Sequence, residues 1–108
     1  MTGYTTNLSQ PLRDLILGIE QDIGMELEVN SGYRDPEHNA AVGGVPESEH
    51  TDDPANRADV KVLRSVTRMK VVHAALLRGC RRIGIGKTFV HLGVSPDKPQ
   101  DVCWVYYE

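Results

Sequence analysis

The chain has 108 residues, a hydrophobic fraction of 40%, a charged fraction of 25% and a formal net charge of −3. That suffices for one domain over residues 1–108 with a thin core and ordinary soluble-protein proportions. The acidic balance gives no electrostatic footprint for nucleic acid or an anionic membrane, and no apolar run approaches membrane-spanning length, so neither is an expected partner.

In chain order, Leu8, Leu12, Leu15, Ile16, Ile19 and Ile23 recur at three- and four-residue steps between Asn7 and Gly24 and predict one amphipathic helix. Ser9 or Asn7 can cap it, Pro11 suits its first turn, and Gly24 can end it. Leu27 and Val29 alternate with polar residues as a short half-buried strand leading into Ser31-Gly32-Tyr33-Arg34. Asp35-Pro36-Glu37 opens like a helix N-terminus, and that short helix runs to Val42 and stops at Gly43-Gly44. Val45 to Arg57 reads as a loop, and Ala58–Val62 alternates as a strand.

Ser65 to Arg78 is a second amphipathic helix, with Val66, Met69, His73, Leu76 and Leu77 on its apolar face and His73 expected as a core histidine. Arg78, Arg81 and Arg82 gather at its end, where cations complement the helix macrodipole. Strands follow near Arg82–Ile85, Phe89–Val94 and Val102–Tyr107, with Pro96 and Pro99 turning the chain between the last two. Cys80 and Cys103, in apolar text, are expected as buried free thiols. Trp104, Tyr106 and Tyr107 read as strand packing. The expected fold class is α+β, a small and mainly antiparallel sheet with helices packed on one face.

His50, Asp59 and His91 are two imidazoles and a carboxylate, a donor set that suits Zn2+. Three protein ligands leave the fourth tetrahedral position open, the mark of a catalytic site. On its strand, His91 is in phase with Phe89 and Gly93 and out of phase with Val90 and Leu92, so the imidazole turns to the face opposite the aliphatic residues.

The text around these residues is more specific. The stretch from Ser31-Gly32-Tyr33-Arg34 through Pro36, Asn39, Val42-Gly43-Gly44 and Ser48 to His50 closely resembles the "SGYR-x-P-x-x-N-x-x-V-G-G-x-x-x-S-x-H" run of the zinc-dependent DD-peptidases, the D-alanyl-D-alanine carboxypeptidases and related phage endolysins. Ala58-Asp59-Val60 resembles the family's second ligand segment, and Arg82–Gly86 with Phe89-Val90-His91 its third. The resemblance covers essentially the whole chain and implies a hedgehog/DD-peptidase-like fold. It also implies zinc ligation by His50, Asp59 and His91. Arg34 would steady the substrate carbonyl oxygen or the oxyanion formed from it, Ser48 would hold the substrate's terminal carboxylate, and peptidoglycan stem peptides ending in D-alanine would be the substrate. A monomer is expected.

Two departures stand out. The family spaces its first histidine and aspartate as "S-x-H-x-x-G-x-A-x-D", whereas Thr51 to Ala58 makes the interval here two residues longer and lacks the glycine. A loop absorbs two residues at small entropic cost. Family members also commonly carry an aspartate two positions after the last histidine, or an acid three before it, and here those positions are Gly93 and Thr88. Hydrolysis needs a proton carrier, which leaves Asp52 and Asp53 of the lengthened loop as candidates. The alternative is a zinc-binding, catalytically silent module of the same fold, and a metal-free scaffold ranks third. The opening Met1-Thr2-Gly3-Tyr4 shows no signal peptide, so synthesis is expected in the cytoplasm. A phage-encoded protein released to the wall by another factor, or carried on a virion, fits that expectation.

Overall fold

The computed structural model describes residues 1–31 and 53–107, which form six strands and two helices. After a two-residue strand β1 (Thr2–Gly3), helix α1 (Gln10–Ile23) begins and ends on the signals its sequence carries. The Ser9 hydroxyl accepts from the Leu12 amide at 3.3 Å, and Pro11 lies in the first turn. Gly24 closes the helix at φ 71°, a left-handed conformation in which a Cβ is strained. Its apolar stripe buries Leu12, Ile16 and Ile19 completely, each worth roughly 1.5–3 kcal/mol relative to exposure.

The chain continues as β2 (Glu28–Ser31), β3 (Arg57–Lys61), α2 (Ser65–Leu77), β4 (Arg82–Ile85), β5 (Phe89–Gly93) and β6 (Val102–Val105). The strands form one sheet in the order β1-β2-β3-β5-β4-β6. Pairing is antiparallel from β2 through β3 and β5 to β4, and parallel at both margins, β1 with β2 and β4 with β6. The sheet is therefore mixed, which corrects the expectation of a mainly antiparallel one. Pro96 and Pro99 do not make a hairpin turn. They lie in a connection that passes beyond β4 and lays β6 along its far side.

Period-two alternation separates the sheet's faces. Ala58, Val60, Ile83, Val90 and Leu92 join the α1 stripe and Val71, Ala74 and Ala75 of α2 in one core cluster. The opposite face carries Asp59, His91 and Gly84, and that is where the chemistry sits. The apolar face expected of α2 is not the buried one: Val66, Met69, Leu76 and Leu77 are exposed, Met69 to 70% and Leu77 to 74%. Small residues turn inward instead, because Ala74 and Ala75 let the helix approach the sheet closely. His73, on the other side, is exposed and not a core histidine.

Cys80 is buried, but Cys103 is exposed on the margin strand β6, so only one of the two expected core thiols is in the core. The three clustered arginines each have a separate partner. Arg78 grips Asp22 of α1 with two bonds of 2.7 and 2.9 Å, Arg81 pairs with Asp101, and Arg82 donates to the Pro99 carbonyl at 2.6 Å and lies over the Trp104 ring. The expected helix from Asp35 to Val42 and the loop from Val45 lie outside the described residues, apart from the loop's end. There Ala55 bridges to Leu8, and Arg57 already belongs to β3.

Candidate metal centre

Asp59 and His91 face each other directly in the β3–β5 ladder. The same row runs across the sheet as Ser31, Asp59, His91, Gly84 and Trp104. Directly opposed residues project to one face, so the backbone register alone places the carboxylate and the imidazole together. Asp59 Oδ1 lies 3.4 Å from His91 Nδ1, with side-chain exposures of 18% and 1%. Two donors on one tetrahedral zinc are separated by about 3.4 Å when metal–donor distances are near 2.1 Å. The pair therefore fits one edge of such a site, with Nδ1 as the ligating nitrogen.

Glycine makes the site possible on its other side. Gly84 opposes His91, and a Cβ there would stand 2.7 Å from both Trp104 Nε1 and Tyr106 Cε2. Its absence lets both rings close over the row. Trp104 meets His91 edge-on, centroids 4.9 Å apart, and Tyr106 follows β6 with its amide bonded to the Ile85 carbonyl. The Tyr106 hydroxyl lies 2.9 Å from His91 Nδ1, and its ring packs on Phe89 at 5.0 Å.

Arg57 is the residue the sequence reading passed over. It stands two positions before Asp59 on the same face, and its Nη2 contacts His91 Nδ1 while lying 3.6 Å from Asp59 Oδ1 and 3.4 Å from the Tyr106 hydroxyl. Guanidinium has donors only, so Nδ1 accepts and the ring proton belongs on Nε2. That is the tautomer a metal bound at Nδ1 would require. Directly opposite Arg57 is Gly93, which presents no side chain. A signal was present: the spacing pattern of the resembled family puts alanine two residues before the aspartate, and this chain has arginine there. The sequence reading puts Arg57 at the end of the loop from Val45, whereas it opens β3. Trp104 and Tyr106 were read as packing, and what they pack against is His91.

Of the other expected site residues, Arg34, Ser48, His50 and Asp52 lie outside the described residues. Asp53 is exposed, and its Oδ1 accepts from Asn7 Nδ2 at 2.8 Å, which ties it to the segment entering α1. Among the described residues no group of three or more His, Cys, Asp or Glu side chains gathers to hold a metal ion, the expected third ligand His50 not being one of them.

The Peptidase M15 family model matches residues 3–93, a span that takes in α1, α2 and β2 through β5 with Asp59 and His91. The chain belongs to the peptidase M15 family. Neither the curated proteins nor the solved structures yield a match. In this M15 chain the opposed Asp59 and His91 lie inside the matched span, whereas β6, Trp104 and Tyr106 lie beyond it. The aromatic cover of His91 is thus supplied by a segment outside the family match.

Proposed function

We propose that the protein is a zinc-dependent peptidase acting on peptidoglycan stem peptides near D-alanine, with a hedgehog/DD-peptidase type of fold. The observation that carries this reading is the 3.4 Å separation of Asp59 Oδ1 and His91 Nδ1 on opposed strands within the M15 span. Asp59 and His91 would hold the metal together with His50. Zinc bound there would polarise the scissile carbonyl and supply a nucleophile at neutral pH. Arg34 would hold the carbonyl oxygen as charge develops on it, a task suited to a permanently charged, planar group of fixed donors. Ser48 would hold the substrate's terminal carboxylate. Asp52 and Asp53 are the proton carriers of this reading, Asp53 from a position tied to Asn7. Such a protein fits a phage-type wall-degrading module.

Incubation with purified peptidoglycan, or with a stem peptide ending in D-Ala-D-Ala, tests the proposal. Free D-alanine or new amino termini should appear, disappear with chelator and return with zinc. A second reading, a metal-binding but silent module, is favoured by Gly93 and Arg57. The strand position two beyond His91 carries no carboxylate, and the residue opposite it brings a cation instead. Zinc-loaded protein that releases nothing from several wall types would establish that reading.

A further inference from the structure

We infer that Arg57 is an internal competitor for the metal position, an inference that rests on the zinc-site reading above. An imidazole Nδ1 has one lone pair, and in this structure Arg57 Nη2 donates to it. A metal ligated by the same nitrogen needs the same lone pair. Guanidinium and metal therefore exclude one another at His91, and their like charges reinforce the exclusion.

Three observations show that this arrangement is built into the sheet. Arg57 is two residues from Asp59 on one strand, so the alternation of β3 aims both side chains at the same face. The register places Gly93 opposite Arg57, leaving a bare backbone over which the long side chain can reach His91. The guanidinium also has surroundings suited to a cation: Asp59 Oδ1 at 3.6 Å and the Tyr106 hydroxyl at 3.4 Å, with the Arg57 side chain only 13% exposed. A largely buried carboxylate beside a buried imidazole is costly without a positive partner. Arg57 supplies that partner here, and metal entry must displace it.

The consequence is quantitative. Metal binds only the fraction of molecules in which Arg57 has withdrawn, so the apparent dissociation constant exceeds the intrinsic one by the reciprocal of that fraction. For a charge-assisted bond in a sheltered site, the shift is on the order of tenfold or more. The substitution Arg57→Met keeps the apolar stem and removes the donors, and Arg57→Gln provides a second, polar replacement.

Zinc affinity is measured by competition with a chromophoric chelator, and thermal unfolding is followed in excess chelator. Both variants should bind zinc on the order of tenfold or more tightly than the parent, yet melt at lower temperature without metal. Should both unfold when stripped of metal, zinc should refold them, and failure to do so at saturating zinc overturns the inference. Equal or weaker zinc affinity in the variants also overturns it, while leaving the zinc site itself standing. Zinc binding to neither parent nor variants removes the metal-site reading and this inference with it.

Discussion

Replacing Gly84 with alanine tests whether the aromatic cover of the site is set by the missing Cβ. The added carbon would stand 2.7 Å from Trp104 Nε1, 2.7 Å from Tyr106 Cε2 and 2.8 Å from Trp104 Cε2. Ordinary carbon contacts fall at about 3.5–4.0 Å, so both rings must retreat by roughly 1 Å. The obstacle is the body of two packed rings, not the end of a flexible chain, so the overpacking cost of about 1–3 kcal/mol applies. Alanine recovers about 0.5–1 kcal/mol over glycine within a strand. The net loss is about 0.5–2 kcal/mol, which for a domain of this size lowers Tm by roughly 2–15 °C.

The same retreat lengthens the 2.9 Å contact between the Tyr106 hydroxyl and His91 Nδ1. Trp104 is the sole tryptophan of the chain, so its emission should change as the indole leaves His91. Gly24→Ala is the control. It carries the backbone strain of φ 71° with open space around it, and should lower Tm without altering the emission. A Gly84→Ala protein that melts within a degree of the parent with unchanged emission would refute the reasoning.

Protein purified without added metal should carry about one zinc per chain, and the double substitution His50→Ala/His91→Ala should abolish it; equal zinc in both samples by elemental analysis would exclude the site. Arg34→Lys should retain zinc while cutting turnover by on the order of 10²–10³, as for a lost oxyanion donor, and unfolding of that variant would assign Arg34 a structural role instead. Asp22 and Asp101 are held below their ordinary value of 3.8 by hydrogen bonds from Arg78 and Arg81, against the opposing effect of burial. Because the folded-state values are depressed, the stability they contribute is present above pH 3.8 and is lost as the pH falls through the folded values. Asp22→Asn should accordingly flatten the acid limb of a plot of urea midpoint against pH, and an unchanged limb would assign the acid sensitivity elsewhere.

The sequence announced α1 in full, because a long stripe of Leu and Ile between a serine cap and a terminal glycine admits one reading. It also announced the phase of β5, and so the face on which His91 emerges. The buried side of α2 was not legible. Spacing singles out its larger apolar residues, while close packing selects Val71, Ala74 and Ala75, whose lack of bulk is what permits burial against the sheet. The parallel margins were hidden for a different reason. Local pattern distinguishes a strand from a helix but does not say which neighbour the strand takes, and β6 passes over its sequence neighbour β5 to lie along β4. For the candidate site, ligand types and flanking motifs point to Asp59 and His91, which the register sets side by side. Arg57 was missed because its meaning depends on the facing Gly93, a relation only the register reveals.

That register has a bearing on how such a site can change over time. Ser31 at the end of β2 lies opposite Asp59, and Asp59 lies opposite His91. The separation of carboxylate and imidazole is thus written in the hydrogen-bond ladder, and insertions between residues 31 and 57 do not enter it. Changes in the sequence between β2 and β3 leave Asp59 and His91 opposed at the spacing that the ladder sets.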